Sequence, residues 1–413
     1  MAGWFPPLGI DTQTVSDAVM SKRSLVVGLA LGALILVGAA IAVYCLERVI
    51  PVVGSDFTFR LNEIDCLRQG RDPYDVWSGL SKVGQYVSHA TFLSGGAGLE
   101  RCVYTYPPWE YAYMMPFSFL PRNVSWTLYT LCASCLFVGL TVSNAFRKNG
   151  LIPAAVSFVM MSYLFVSDLQ VGNFGVIVLV ASFLMAEALN RNWDVCAGVL
   201  WAVAMVKPQL GVAFAIPLLW RGKWKTCIVA AVVCLGTSVI PSLMCGKSIA
   251  ELILCVPPSN VEFFQGCGTW PYFLCHVLPK SLDVPLGLGI GVVVCCFMLW
   301  MLRKETDWLV FFSPVAIVSC CWSYAHSYCH AMGWFVAFVI VRDLVRHPQS
   351  KLLWALMLLS FLVLTRWFLA WHGLAAVVGW QFPMSEYAFR CVDSLNSTAS
   401  LAIAFAYCVW KRK

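Results

Sequence analysis

Residues 221–244 read RGKWKTCIVAAVVCLGTSVIPSLM, a short basic cluster followed by a long stretch without a charged residue. Such a stretch is typical of a helix that crosses the hydrocarbon core of a bilayer. Similar stretches recur along the whole chain, with basic residues between them. The chain is 60% hydrophobic and only 12% charged, with a mean hydropathy of +0.75, whereas soluble domains carry about 25% charged residues. The composition therefore predicts an all-α integral membrane protein.

The apolar stretches predict a polytopic bundle of about 12 transmembrane spans. Long spans are predicted at 25–46, 124–146, 151–168, 174–190, 226–244, 284–302, 308–325, 352–371 and 396–410. Three shorter segments, 195–206, 209–220 and 329–341, are about 20 Å long, so they are predicted to be tilted, broken or re-entrant helices. We expect a cytoplasmic N-terminus at 1–24 and a single transmembrane domain at 25–413.

The basic residues are distributed unevenly between the two sides of this bundle. Twelve spans place both termini on one side, and that side carries more than half of the 28 Lys and Arg residues: Lys22, Arg23, Arg147, Lys148, Arg191, Arg221, Lys223, Lys225, Arg303, Lys304, Arg342, Arg346, Lys351, Lys411, Arg412 and Lys413. Cytoplasmic loops are enriched in Lys and Arg. Both termini are therefore predicted to be cytoplasmic, and the long loops 47–123 and 245–283 external. This topology accounts for the net charge of +7, and no nucleic-acid partner is predicted.

The N-terminal segment and the cysteines fit the same topology. No small-residue cleavage pattern follows the first span, which indicates a retained signal anchor. Most of the 19 cysteines lie inside apolar spans, where Cys behaves as a small hydrophobe. Disulfides in the external loops remain an open alternative, either between Cys66 and Cys102 or among Cys245, Cys255, Cys267 and Cys275.

The first external loop opens with an amphipathic segment from Asp56 to Gln69. Its apolar residues recur at helical spacing: Phe57, Leu61, Ile64 and Leu67. The pattern predicts a helix that lies at the membrane interface and ends at Gly70. Asp56 stands where the membrane meets the external water, and its carboxylate is either a solvated loop group or a proton acceptor.

Lys207 and Asn173 are candidate polar groups near the outer end of the bundle. Lys207 precedes Pro208 between two short apolar segments, and the proline forces a break in the helix. An ionisable residue at this depth is costly, so Lys207 is predicted either to snorkel outward or to meet an anion. Asn173 ends a tight external turn, Gln170–Asn173, where it is either a plain turn residue or a polar contact.

A third group of candidates is cationic. His326 and His330 are four residues apart, so a helix would place both rings on one face, and Arg366 lies in another span predicted to end outside. HxxxH is half of a metal site, but no local carboxylate completes it. An anion site is therefore favoured, and no metal is predicted.

The order of several motifs resembles that of a known family. The motifs are Asp56, Gly70-Arg71-Asp72-Pro73-Tyr74, Tyr104-Thr105-Tyr106-Pro107-Pro108, Leu120-Pro121, Gln170-Val171-Gly172-Asn173, Ala197-Gly198 and Lys207-Pro208-Gln209. Over residues 47–225 the sequence is similar to glycosyltransferase family 87. The resemblance implies the GT-C fold, a bacterial inner membrane, and a polyprenyl phosphate sugar donor, as in mannosyltransferases and related arabinofuranosyltransferases. It also implies that Asp56 is the catalytic base.

This reaction needs a base for the acceptor hydroxyl and cations for the departing phosphate. Asp56 is assigned the first role, and transfer by a single displacement would invert the anomeric configuration. The candidates for donor phosphate binding are His326, His330, Lys207 and Arg366. The candidates for substrate binding are Tyr74, Tyr106, Asn173 and Gln209. The expected partners are the polyprenyl phosphate donor, a glycolipid or glycan acceptor and membrane lipids, with no cofactor.

Two other classes of function stay open at this point. Broken helices and intramembrane charge are also typical of secondary transporters and lipid flippases. A carrier needs a pathway open to both sides, and the short cytoplasmic loops offer little polar material for an inner gate. A non-catalytic subunit of an envelope assembly would be favoured if Asp56 were replaceable.

Overall fold

The computed structural model describes residues 55–73, 106–145, 168, 172–254, 282–322, 331–364 and 386–412. Within these ranges the chain is helical and contains no strand. The predicted all-α class is confirmed.

The helices, in chain order, are α1 (Ser55–Arg68), α2 (Pro108–Met114), α3 (Arg122–Ala145), α4 (Gly175–Asn190), α5 (Asp194–Ala204), α6 (Pro208–Gly211), α7 (Ala215–Trp220), α8 (Trp224–Cys245), α9 (Ile249–Leu254), α10 (Asp283–Met301), α11 (Trp308–Ser319), α12 (Gly333–Arg346), α13 (Lys351–Leu364) and α14 (Glu386–Arg412). Short 3-10 segments at Met115–Phe119 and Val212–Phe214 follow α2 and α6.

The helices follow the predicted apolar segments wherever both fall among the described residues. Within those ranges α8 is the one helix long and apolar enough to cross a membrane, and at about 1.5 Å per residue its 22 residues measure about 33 Å. The shorter apolar helices run over Gly175–Asn190, Asp194–Ala204, Pro208–Trp220, Pro285–Met301, Trp308–Ser319 and Lys351–Ser360. Span 25–46 and most of 151–168 lie outside the described residues, so the count of twelve spans stays a prediction.

The main core is built around α11. All residues of α11 are buried, and it packs against α4, α10, α12 and α14. Aromatic rings join α4 to α12, where Phe183 and Phe335 stack with centroids 4.2 Å apart. A helix that is apolar on every side needs neighbours all round, so α11 forms the centre of this bundle.

A second core cluster holds α1 against α2 and α3. Phe57, Leu61, Ile64 and Leu67 of α1 are all buried, as their helical spacing predicts. The helix ends as predicted, because Gly70 adopts a left-handed φ of +68°. Of its charged residues, Arg60 and Glu63 are buried against the rest of the protein, whereas Arg68 is exposed. The position of α1 at the membrane interface stays a prediction.

Ion pairs hold the helix ends together where the basic residues cluster. Buried Asp343 of α12 accepts hydrogen bonds from the Tyr407 hydroxyl at 2.7 Å and the Lys411 ammonium at 3.0 Å. Arg342 pairs with Asp307 at 2.7 Å, and Asn190 donates to the same carboxylate at 3.1 Å. These contacts tie α4, α11, α12 and α14 into one unit.

The cysteines described by the structure carry free thiols, Cys66 and Cys245 among them. Cys102, Cys255, Cys267 and Cys275 lie outside the described residues. The alternative disulfides are therefore left as predictions.

A close approach between α5 and α8 depends on a glycine and generates a stability prediction. A Cβ atom on Gly198 would lie 2.6 Å from the Val229 Cβ and 2.8 Å from the Thr226 carbonyl oxygen. We expect Gly198→Ala to lower the free energy of unfolding by about 1 to 3 kcal/mol through overpacking. Thermal unfolding of the purified protein in detergent measures this change.

Gly236→Ala in α8 is the matched control, because no atom of another described segment lies within 4 Å of the added Cβ. This variant should be neutral or slightly stabilising, since alanine favours the helix over glycine by about 1 kcal/mol. Equal midpoints for the two variants would show that α5 and α8 do not pack as described.

Candidate functional site

Asp56, Asn173 and Lys207 form a row of hydrogen-bonded side chains. The Asn173 Nδ2 donates to the Asp56 Oδ2 at 2.6 Å, and the Lys207 Nζ donates to the Asn173 Oδ1 at 2.5 Å. Asn173 and Lys207 are buried, whereas Asp56 is half-buried. The row therefore runs from two buried side chains to a carboxylate that is partly exposed.

The orientation of the Asn173 amide follows from its partners. Its Oδ1 also accepts from the backbone N–H of Phe174 at 2.7 Å. The oxygen thus faces two donors, and the NH₂ group is left to face the carboxylate. The backbone carbonyl of Asn173 accepts from the Tyr129 hydroxyl at 2.5 Å, which ties this residue to α3.

The turn before α4 positions Asn173. Gly172 has a φ of +72°, and a Cβ there would lie 2.5 Å from the Phe57 Cβ, so only glycine fits. Buried Asp168 accepts from the backbone N–H groups of Gly175 at 3.0 Å and Val176 at 2.7 Å. These donors belong to the first turn of α4, where N–H groups have no helical partner. The turn is therefore fixed by two contacts: Gly172 packs against Phe57 of α1, and the Asp168 carboxylate binds the first N–H groups of α4.

The predicted helix break positions Lys207. Helix α5 ends at Ala204 and α6 starts at Pro208, so the segment 195–220 is broken at the proline as expected. The Lys207 carbonyl accepts from the N–H groups of Leu210 and Gly211, both at 2.9 Å. The Trp109 indole of α2 donates to the Met205 carbonyl at 2.8 Å. The break turns the Lys207 side chain into the bundle, where its exposure is 0%.

Arg60 forms a second set of contacts one helical turn after Asp56. Its guanidinium lies 3.4 Å from the centroid of the Tyr106 ring. It pairs with Glu63 at 2.6 Å and approaches Glu110 of α2 at 3.7 Å. One arginine therefore holds α1, α2 and the aromatic turn at Tyr106 together.

The charged groups in this cluster change one another's pKa, and burial changes it too. Burial raises the pKa of Asp56, although Arg60, the Asn173 hydrogen bond and Lys207 oppose the shift. Burial also raises the pKa of Glu110 well above its ordinary value, against the opposing effect of Arg60. For Arg60, burial opposes the charge, but the surrounding acidic groups outweigh it and raise the pKa of the guanidinium. A carboxyl with a raised pKa is a stronger base once it is ionised.

The structure brings some of the predicted residues together. Asp56, Asn173, Lys207 and Tyr106 lie in one connected cluster. Gln209 is half-buried, and its backbone carbonyl accepts a hydrogen bond from the Trp322 indole at 3.0 Å. Tyr74, His326, His330 and Arg366 lie outside the described residues, so their places in the site stay predictions.

Of the two sequence-based alternatives for Lys207, outward snorkelling is wrong, because the side chain is buried. Its ammonium donates to the Asn173 amide, and its positive charge interacts with the Asp56 and Asp168 carboxylates. These acidic groups contribute to the compensation of the buried ammonium. A contact between Lys207 and the donor phosphate stays a prediction.

Sequence reasoning missed Arg60, Glu110 and Asp168. The spacing from Asp56 to Arg60 is four residues, which places both on one helix face and could have indicated their proximity. No local pattern indicates that Glu110 and Asp168 lie beside residues distant in sequence. In the described part of the chain, no three His, Cys, Asp or Glu side chains group as a metal site would require.

Comparison with known proteins identifies the family. A sequence model of glycosyltransferase family 87 matches residues 104–323, a range that contains Tyr106, Asn173 and Lys207. Asp56 precedes the matched range. Comparisons with curated proteins and with solved structures give no match. Since the family match covers more than half of the 413 residues, the chain belongs to glycosyltransferase family 87.

Proposed function

We propose that this glycosyltransferase transfers a mannose-like or arabinose-like sugar from a polyprenyl phosphate to a cell-envelope glycolipid or glycan. The reaction takes place on the outer face of a bacterial inner membrane. Members of family 87 are membrane proteins, and the apolar helices agree with that location. The donor, the acceptor and the orientation in the membrane are parts of the proposal.

The observation that carries the proposal is the half-buried Asp56 carboxylate held by Asn173. The hydrogen bond from the Asn173 amide engages Oδ2 and holds the carboxylate in one orientation. Asp56 then accepts the proton of the acceptor hydroxyl as the hydroxyl oxygen attacks the anomeric carbon. The bond from that carbon to the phosphate oxygen breaks, and polyprenyl phosphate leaves with the electron pair. One displacement of this kind inverts the anomeric carbon.

The departing phosphate needs positive charge. His326, His330 and Arg366 remain our proposed phosphate ligands. Lys207 keeps a proposed place beside them, because its buried ammonium is hydrogen-bonded to the residue that holds Asp56. Its described contact also supports a positioning role for Lys207, which acts on Asp56 through the amide. Tyr74, Tyr106 and Gln209 remain proposed substrate contacts.

A first test is the substitution Asp56→Asn. We expect it to reduce sugar transfer by about 10² to 10⁴, because it removes the base but keeps the size and one hydrogen-bond acceptor. Donor binding should persist. The measurement is release of polyprenyl phosphate by the purified protein from a panel of polyprenyl phosphate sugars.

Asp65→Asn on the same helix is the matched control. Asp65 is exposed and pairs with Arg122 at 3.4 Å, so its loss should leave turnover unchanged. Near-normal turnover of Asp56→Asn would remove the base assignment and favour the transporter or flippase alternative.

The raised pKa of Asp56 gives a pH prediction. The base must be ionised, so the acidic limb of kcat/KM should lie above the ordinary range of an aspartate. Arg60→Gln removes a cation that lowers the pKa of Asp56, and the limb should move to still higher pH. A pH profile of sugar transfer, recorded for the unmodified protein and for Arg60→Gln, measures the acidic limb of each.

Arg60→Lys keeps the positive charge and is the control for this shift. Its limb should lie closer to that of the unmodified protein than the limb of Arg60→Gln. If the limb stayed in place for Arg60→Gln while turnover fell, Arg60 would have only a structural role.

The proposed orientation is testable by reporter fusions. A reporter after Lys413 should be active only in the cytoplasm, and reporters inserted in 245–283 should be active only outside. The physical reason is the excess of basic residues on the side of the termini. An external reporter signal at Lys413 would overturn the orientation.

A further inference from the structure

Two arginines from different helices converge on one indole ring. Trp300 lies in the last turn of α10, and the Arg303 guanidinium carbon is 4.6 Å from the ring centroid. The Arg412 guanidinium carbon, at the end of α14, is 4.9 Å from the same centroid. Both arginines are exposed, and Lys304 next to them is exposed too. This cluster of Trp300, Arg303, Lys304 and Arg412 is called the cationic clamp below.

The cations of the clamp have no acidic partner within the described ranges, since no carboxylate oxygen lies within 4 Å of them. Their neighbour Lys411 differs, because its ammonium lies 3.0 Å from Asp343 and 3.5 Å from Glu305. Helix C-termini attract cations by about 0.3 to 1 kcal/mol each, which accounts for basic residues at these ends. It does not account for two of them meeting at one ring. The clamp therefore presents uncompensated positive charge.

An exposed apolar stripe on α10 and α14 continues from the clamp. Phe297 stacks on Trp300 with centroids 6.0 Å apart and on Phe405 of α14 at 6.2 Å. Phe297 is 49% exposed and Phe405 is 43% exposed, so the stacked rings present apolar surface. Val293, one turn further along α10, is 68% exposed. Charge at one end and apolar rings along the length match an amphiphile with an anionic head.

We infer that the clamp and the apolar stripe together bind an anionic phospholipid, with its phosphate on Arg303 and Arg412 and an acyl chain along Phe297 and Phe405. Guanidinium groups bind phosphate in a fork geometry, and exposed apolar rings in a bilayer contact acyl chains. A soluble anion would satisfy the clamp but would not use the adjoining stripe. The site shares no residue with the cluster around Asp56 and is independent of the sugar transfer proposed above.

The test is retention of lipid by the full-length protein. Protein is equilibrated with vesicles of phosphatidylcholine that contain phosphatidylglycerol, extracted in mild detergent, and measured by native mass spectrometry. We expect the unmodified protein to retain phosphatidylglycerol over phosphatidylcholine. The double variant Arg303→Gln/Arg412→Gln should bind it about 10- to 30-fold more weakly, since each basic residue at a membrane surface is worth about 1 kcal/mol, or about fivefold.

Arg191→Gln/Lys225→Gln is the charge-matched control. It removes two exposed cations at other helix ends, Arg191 directly after α4 and Lys225 in the first turn of α8, and should retain phosphatidylglycerol like the unmodified protein. Phe405→Ala tests the apolar stripe, and it should weaken retention without a change in charge.

Three outcomes would overturn the inference. Equal retention by the clamp variant and the control would show that the clamp binds no lipid. Equal retention of the two phospholipids by the unmodified protein would show that the site does not select an anionic headgroup. Full competition by millimolar inorganic phosphate would identify a site for a free anion instead.

Discussion

The amide of Asn173 is the contact on which the rest of the site depends. It joins a carboxylate from α1 to an ammonium from the break between α5 and α6, and each end of the amide suits only one of them. Taking an ion out of water costs several kcal/mol even in real proteins. Lys207 is completely buried, and the Asn173 amide and the negative charge of Asp56 help to stabilise its ammonium. The turn that presents Asn173 is correspondingly constrained, with a glycine pressed against Phe57 and a carboxylate on the N–H groups of α4.

Arg60 has the corresponding role on the other side of Asp56. It is surrounded by Glu63, Glu110 and the Tyr106 ring, and it lies one turn from the proposed base. A cation in this position lowers the pKa of Asp56, whereas burial raises it, and burial has the larger effect. The site thus keeps a carboxyl that is more basic than usual, yet stabilises it once it is ionised. This balance suits a group that must take a proton from a sugar hydroxyl, an acid far weaker than itself.

The protein uses charge in two different ways. Near Asp56, charges are buried and each is matched by hydrogen bonds or by another charge. Elsewhere, Asp343, Asp307 and Glu305 form ion pairs with cations of α12 and α14, and these pairs join helices. Arg303 and Arg412 take no part in those ion pairs, and both guanidinium groups lie near the Trp300 indole. The paired charges hold the helices in place, and the two exposed arginines carry the proposed lipid contact.

The sequence by itself determined the helical class, the positions of most helices, the end of α1 at Gly70 and the break at Pro208. Each of these follows from local chemistry: apolar runs, a left-handed glycine and a residue without an amide hydrogen. The motif order also led to the family that the comparison confirms. The sequence also predicts the count of spans, the orientation in the membrane and the roles of the site residues. These points stay predictions that the experiments described above test.

Only the tertiary structure decided which polar groups meet. Asp56 and Asn173 are 117 residues apart, and no periodicity relates them. The sequence also did not show that Arg60 and Glu63 are buried, because amphipathic spacing does not distinguish a face turned to water from one turned to buried partners. Arg60 is buried because Glu63, Glu110 and Tyr106 surround it, and two of these three come from another segment of the chain. A local pattern records the spacing of residues along one helix, whereas the compensation of a buried charge depends on groups that only folding brings within reach.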